Sequence, residues 1–478
     1  MTRAIARAGL AAAALAACAC AGHTPYAPPP APVPPAFKEN ANWKPAQPAD
    51  AALRGKWWEV FGDADLNALE EQIAVSNQTL KAVAAQYEQA RALLRGARSA
   101  LYPQVAAEPS ISAVQQSGNR AVSTFHARYG DFLLPVTASY EPDVWGRVRG
   151  SIEASRTAAQ AAAADVESVA LSLHAELAAD YFMLRGLDRE RQLLESAVEA
   201  YQRAVDLTEN RFRGGISSQA DVAQAETQLE TTRAQAVDIE AARALVEHAV
   251  AVLVGQPPSG FSIAVAPLTS TPPAVPSGLP TELLERRPDI AAAERRIASA
   301  TAQAGVAAKA YYPLLTLTGI VGFESSSFGS WLAGASTFWS IGPAAVITIF
   351  DAGRRRAEAQ RTRAVVVQSS ADYQQTVLTA FREVEDELAV LRVLDEEARV
   401  QDSAVAASTR SLTLATNRYR GGVATYLEVI ATQSAALTNQ RAAVDILTRR
   451  MVASVRLITA LGGGWNASSL PQVIQDHE

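Results

Sequence analysis

Four stretches of the chain alternate apolar and polar residues. In the first, Val105, Ala107, Ile111 and Ala113 oppose Gln104, Glu108, Ser110 and Ser112. The second sets Phe132, Leu134, Val136, Ala138 and Tyr140 against Thr137, Ser139 and Glu141. In the third, Leu315, Leu317 and Val321 oppose Thr316 and Thr318, and the fourth aligns Trp339, Ile341, Ala345, Ile347 and Ile349. Period-two alternation predicts strands over about 104–116, 130–141, 314–324 and 337–350. Each has about the length of a tilted strand crossing a bilayer. Aromatic residues gather at the predicted ends, with Tyr102, Tyr140, Tyr311, Tyr312 and Phe350 at one and Phe125, Tyr129, Phe323 and Trp331 at the other. They read as two interfacial girdles.

Seven-residue spacing governs two much longer stretches. Leu177, Leu184, Val198, Val205 and Phe212 recur in register, with Arg191 the exception, and Val384, Leu391, Ala398, Val405, Leu412 and Tyr419 do the same. This predicts coiled-coil helices over 147–213 and 354–420, each spanning roughly 100 Å. Shorter helices are expected over about 63–100, 217–254, 281–310 and 424–461, with Tyr102-Pro103 and Tyr312-Pro313 stopping two of them. Stacked end to end, two short helices match one long helix.

The order of elements repeats because the chain is a duplication. Asn210-Arg211-Phe212-Arg213-Gly214-Gly215 recurs as Asn417-Arg418-Tyr419-Arg420-Gly421-Gly422, an offset of 207 (417 minus 210). Leu187-Asp188, Ser196-Ala197-Val198 and Ala236-Val237-Asp238-Ile239 recur at the same offset. The repeats cover 61–255 and 281–462, joined by a Pro-rich equatorial connection, 256–280, and followed by a tail, 463–478. Four strands cannot close a barrel, and lipid does not tolerate open sheet edges. Symmetric association is the remedy. Three copies of four strands give twelve, wide enough for water. The expected fold is thus an α+β membrane protein, a homotrimer whose 12-stranded β-barrel continues into a periplasmic α-helical tunnel.

Composition narrows the chemistry. Apolar residues make up 49% of the 478 and aromatics 6%, which suits close helix packing over thick aromatic cores. A net charge of −6 gives no basic surface for nucleic acid. Five histidines and two cysteines offer no metal or nucleophile constellation, so no enzyme, metal or cofactor is expected. Arg3 and Arg7 precede a short apolar run that ends in Leu15-Ala16-Ala17-Cys18. This looks like a lipobox, with signal peptide 1–17 and a covalent lipid on Cys18. Residues 18–60, rich in Pro at their start, read as anchor and tether to outer-membrane lipid.

At the two Gly-Gly turns, Ser218-x-x-Asp221 and Thr425-x-x-Glu428 have the spacing of capping boxes. Gly214 or Gly215, and Gly421 or Gly422, supply a left-handed helix end, and Arg211, Arg213, Arg418 and Arg420 suit the helix dipole. A lipid-anchored coiled-coil scaffold without a pore would explain the heptads and the lipobox but not four alternating strands.

The chain resembles TolC-like outer-membrane efflux channels, most closely the lipoprotein branch of OprM and NodT type, over about residues 55–462. The resemblance rests on the lipobox, Tyr140-Glu141-Pro142-Asp143-Val144-Trp145-Gly146-Arg147, Arg286-Arg287-Pro288-Asp289, Phe350-Asp351-Ala352-Gly353-Arg354 and both Arg-aromatic-Arg-Gly-Gly turns. It implies a passive, gated trimeric conduit that uses no ATP or metal. It implies two partners, a periplasmic adaptor and an inner-membrane proton-driven pump of the RND type. Small-molecule efflux is the expected role; protein secretion of type I or metal-ion efflux is the alternative. The positions matching the family's constriction are Ala220, Asp221, Leu427 and Glu428, with Tyr419 matching an aromatic that holds helices together at the closed end. Ala431 stands where many members carry a second acid. The turns, with Arg211, Gly214, Gly215, Arg418, Gly421 and Gly422, match the adaptor-docking region.

Overall fold

A computed structural model describes residues 30, 33, 34, 36–39, 55–115, 128–273 and 286–464. The expected lipidation site Cys18, the signal peptide and the tail beyond 464 lie outside the described residues, as does Phe125. The first repeat holds α1 (Ala64–Ser76), α2 (Gln78–Ser99), β1 (Gln104–Ala107), β2 (Ser110–Gln115), β3 (Arg128–Tyr140), α3 (Arg147–Arg213) and α4 (Gln219–Leu253). The second holds α5 (Pro288–Lys309), β4 (Leu314–Ser325), β5 (Thr337–Val346), α6 (Arg354–Arg420) and α7 (Tyr426–Ala460). Both long helices therefore match their sequence-predicted bounds. Helix α3 packs against α2, α4, α5 and α7, and α6 packs against α5 and α7.

The strands form one antiparallel sheet in the order β1-β3-β4-β5, with β2 also on β3. Its register carries the functional content. Val105 faces Ala138, Ala138 faces Gly319 and Gly319 faces Ile341. Val136 likewise faces Val321, which faces Trp339. The alternating apolar residues singled out in the sequence, as far as the ladder reaches, thus share one side of the sheet. The other side collects Gln104, Ser139, Thr318 and Gly342 in one row and Thr137, Ile320 and Ser340 in the next. Among the described residues, no helix covers the apolar side: Trp339 is 75% exposed.

The expected first strand is two. Pro109 separates β1 from β2, yet the register runs on unchanged across the gap. Pro109 donates no ladder bond, and neighbouring Glu108 faces Pro135, which donates none either; the Glu108 amide still reaches the Pro135 carbonyl at 3.3 Å. The last strand ends at Val346, four residues short of the expected 350, because its partner β4 begins at Leu314, just after Pro313.

The helix expected over 63–100 breaks at Asn77, which caps α2 by accepting the Leu80 amide at 2.9 Å and donates to the last carbonyl of α4, Leu253, at 2.8 Å. The second repeat does the same with different chemistry. There α5 starts at Pro288, and the residue before it, Arg287, donates Nη1 to the last carbonyl of α7, Ala460, at 3.0 Å. Gly255 and Gly462 follow those two helix ends in left-handed conformation (φ 71° and 94°). A Cβ on either would come within 2.4 Å of the Ser76 carbonyl oxygen or 2.2 Å of that of Arg286. The stacking of short helices beside a long one is therefore built twice, by equivalent positions.

The main core lies at this level. It joins Leu66 and Ile73 of α1, Tyr181 and Phe182 of α3, Ile290 of α5, Val384 and Leu388 of α6 and Ile458 of α7. The connection after α4 crosses here: Leu268 N donates to the Arg185 carbonyl, and Ala266 N to Asp188. One expectation is corrected. Residues 18–60 are not all tether, since Trp57 and Trp58 are buried in the core and Phe37 is buried there too. The Lys38 and Glu39 amides donate to the Glu385 carboxylate at 2.6 and 3.0 Å. Among the described residues, no helix is long and apolar enough to cross a membrane.

Candidate functional site

The two turns at the far ends of the long helices close in the same way. The Ile216 amide donates to the Arg211 carbonyl at 2.8 Å and the Gly215 amide to that of Phe212 at 2.9 Å. Val423 to Arg418 and Gly422 to Tyr419 repeat the pattern, each at 3.0 Å. These are Schellman closures, and they settle which glycine is left-handed: Gly215 (φ 71°) and Gly422 (φ 75°), not Gly214 or Gly421. All four are exposed.

The capping boxes are not equivalent. Ser218 and Asp221 form one: the Asp221 amide donates to Ser218 Oγ at 3.1 Å, and the Ser218 amide donates to Asp221 Oδ2 at 2.9 Å. Thr425 makes no side-chain cap. Glu428 instead accepts from Arg418 Nη1 at 2.7 Å, within its own hairpin. The expected second box is thus replaced by an ion pair, because a guanidinium one turn before the glycines reaches the carboxylate. Asp221→Ala should then cost the α4 start about 1 kcal/mol, seen as faster amide exchange in its first turn, while Thr425→Ala leaves α7 unchanged.

Tyr419 joins the hairpins. It is 4% exposed although it lies next to a surface turn. The Arg211 guanidinium lies over its ring, 4.7 Å from the centroid, and Arg211 Nη1 reaches the Arg420 carbonyl at 3.4 Å. The Tyr419 hydroxyl is 3.3 Å from Ser217 Oγ and 3.5 Å from Thr208 Oγ1, both of the first repeat. Tyr426 packs on it at 5.3 Å between centroids, and burial, with Tyr419 and Tyr201 beside it, pushes the Tyr426 hydroxyl up to about 12. Below lies a second core of Leu194, Tyr201, Val205, Leu229 and Leu437.

Of the residues expected at a constriction, Ala220 and Leu427 are exposed, Leu427 by 60%, and Asp221 and Glu428 are half-buried. Asp221 and Glu428 are each tied within their own hairpin. Thr208, Ser217 and Tyr426 escape sequence reasoning. The only signal for them is that aromatic Tyr419 replaces Phe212 at the equivalent turn position, adding a hydroxyl that needs partners.

At the opposite ends, Asp143 accepts the Val148 and Arg149 amides at 2.9 Å each, and Asp351 accepts the Arg355 amide at 3.2 Å. Trp145 stacks on Tyr312 (5.0 Å, 16°) and donates Nε1 to the Pro313 carbonyl at 2.8 Å, tying one repeat's helix start to the other's strand start. The motifs Glu-Pro-Asp-Val-Trp-Gly-Arg and Asp-Ala-Gly-Arg thus orient long helices against the sheet.

This architecture has relatives. The sequence profile for "Outer membrane efflux protein" matches residues 69–256 and 279–463, which are the two repeats. The pyoverdine export outer membrane protein OpmQ of Pseudomonas aeruginosa is 32% identical over 92% of this chain and 94% of its own length. The cation efflux system protein CusC of Escherichia coli is 30% identical over 92% of this chain and 95% of its own. The solved outer-membrane channel OprN superposes with a TM-score of 0.86 at 29% identity, covering 93% of this chain and all of that one. Sequence profile, repeat boundaries and superposed fold agree, and the chain belongs to the TolC-like family of outer membrane efflux proteins.

Proposed function

We propose that three copies of this chain form the outer-membrane conduit of a tripartite efflux system. The register of the sheet carries the reading. It places one continuous apolar side across four strands and leaves β1/β2 and β5 as open edges. In lipid those edges need partners, and the opposite edge of the next copy supplies each one. The polar side then lines a twelve-stranded barrel, and the helices extend it through the periplasm. A lipid on Cys18 anchors the N-terminus to the outer membrane.

The helix turns are the periplasmic end. In that reading, Leu427, exposed in one copy, and the half-buried Asp221 and Glu428 converge on the axis and narrow the tunnel, with Ala220 beside them. The Arg211–Tyr419 contact holds each protomer's two hairpins in the closed arrangement. The exposed turns at Gly214, Gly215, Gly421 and Gly422, with Arg418, receive the adaptor, which links the conduit to an RND pump. Cargo choice lies with the pump. Relatives of nearly equal similarity are named for pyoverdine and for cations, and the tunnel offers small polar groups without a built pocket.

Single-channel recording in planar bilayers tests this. The wild type is expected to pass small, flickering currents, and Asp221→Ala/Glu428→Ala to pass larger ones. Unchanged current in the double variant would leave these acids as a cap and an ion pair only. No current from either folded protein would favour a scaffold without a pore.

A further inference from the structure

Four helix ends and four strand ends meet at one level of the molecule. Helix α2 runs into β1, β3 into α3, α5 into β4 and β5 into α6. Eight basic residues lie there: Arg95, Arg98, Arg147, Arg149, Lys309, Arg354, Arg355 and Arg356. Among the described residues, the acids near that level are engaged, except Glu108 between β1 and β2. Glu141 pairs with Arg147, Asp143 with Arg149, Asp351 with Arg355, Glu88 with Arg91 and Glu358 with Arg361. Arg95, Arg98, Arg354 and Arg356 have no ion-pair partner among the described residues, and Lys309 donates to the Gly146 carbonyl. A chain of net charge −6 thus concentrates unneutralised positive charge at one level.

The sheet topology sharpens this. Arg354 and Arg356 follow β5, one open edge, while Arg95 and Arg98 precede β1, the other. Closing the ring, the reading on which this inference rests, sets the Arg354/Arg356 pair of each copy beside the Arg95/Arg98 pair of the next. Like charges meet at every seam, and association alone cannot neutralise them. Beside Arg354 the chain exposes Ile347, Ile349 and Phe350, the last two by 92% and 86%, and beside Arg98 it exposes Tyr102. An apolar wall directly above a cluster of unpaired guanidinium groups has the chemistry of a phospholipid: acyl chains above, phosphate below.

We propose that each protomer seam binds an anionic glycerophospholipid of the periplasm-facing leaflet, its headgroup phosphate held by Arg354 and Arg356 on one side and Arg95 and Arg98 on the other. Guanidinium groups take phosphate oxygens in pairs, so one lipid bridges two copies and the membrane itself neutralises the seam.

Native mass spectrometry tests the assignment. The purified protein in mild detergent is offered equal amounts of phosphatidylglycerol and phosphatidylcholine with the same acyl chains. The wild type is expected to retain phosphatidylglycerol preferentially. Arg354→Gln/Arg356→Gln should lower that preference about fivefold per arginine, whereas Arg354→Lys/Arg356→Lys, which keeps the charge and checks the fold, should retain most of it. Added glycerol phosphate should not displace the lipid. Equal retention of both lipids by the wild type overturns the proposal, as does an undiminished preference in the glutamine variant or displacement by free glycerol phosphate. Bilayer recordings separate the two readings. Current without lipid preference removes the lipid site alone, and no current in bilayers with or without phosphatidylglycerol sinks the channel and the lipid site together.

Discussion

Arg287→Ala should cost the fold about 1.5–3 kcal/mol, the range for losing hydrogen bonds to a charged group, because solvent reaches the two carboxylates left behind. Arg287 is 8% exposed and serves three partners at once. Nη1 meets Glu383 Oε2 at 2.7 Å and the Ala460 carbonyl at 3.0 Å, while Nη2 meets Asp289 Oδ2 at 2.8 Å. Truncation takes this donor from Glu383 and from the helix-terminal Ala460 carbonyl, and leaves Asp289 with the Ile290 amide, at the joint between α5, α6 and α7. Lysine offers one ammonium in place of the planar fork and should recover only part of the loss. Denaturant titration of the detergent-solubilised protein reads both variants. A midpoint for Arg287→Ala equal to wild type would show that water replaces all three bonds. Asn77→Ala, at the equivalent joint of the first repeat, breaks neutral bonds only and should cost less, about 1–2 kcal/mol.

Stability should fall as pH rises from 7 to 9, and Glu70→Gln should abolish that fall. Glu70 and His174 meet in the main core, Oε2 to Nδ1 at 2.6 Å, with Trp58 stacked on the imidazole at 4.4 Å. The Glu70 side chain is fully buried, and its Oε1 has no partner among the described residues. Burial pushes Glu70 up to about 9 and His174 down to about 4, so between those limits the pair holds one proton. The raised group, Glu70, contributes stability that is present below its unfolded value of 4.5 and is lost toward pH 9. The depressed group, His174, contributes stability present above its unfolded value of 6.5 and lost toward pH 4. The two contributions offset each other from 4.5 to 6.5. Above 6.5 the unfolded pair has released its proton while the folded pair keeps it, and stability drops by about 1.4 kcal/mol per pH unit. From pH 7 to 9 this amounts to about 2–3 kcal/mol, an upper figure because opening of the core lets water in. Melting temperatures across that range, wild type against Glu70→Gln, read the difference. A flat wild-type profile would mean the pair ionises without cost.

Much of the fold is legible in local pattern. Period two marks the strands and sets their apolar side, since each residue's side follows from its parity. Period seven marks α3 and α6, and capping residues bound them, so Arg147, Arg213, Arg354 and Arg420 end helices where the sequence says. The duplication lets each half check the other. It also misleads: Ser218/Asp221 and Thr425/Glu428 read alike, but only the first caps, because Arg418 competes for Glu428. The candidate site was half visible. Tyr419 and the glycines stand out in the repeat, while Arg211 over the Tyr419 ring joins residues about two hundred positions apart.

The sequence by itself determined the element types, their order, the two repeats and the side of each strand that is apolar, because a helix or a strand writes its own period into neighbouring residues. Tertiary structure alone decided where the long-range joints fall. Asn77 holds Leu253, Arg287 holds Ala460, Tyr419 holds Ser217 and Thr208, Phe37 enters the core, and Glu70 finds His174. None of these pairs is periodic. Each is fixed by one buried polar group or ring that must find a partner wherever the packed helices bring it, and that requirement leaves no pattern along the chain.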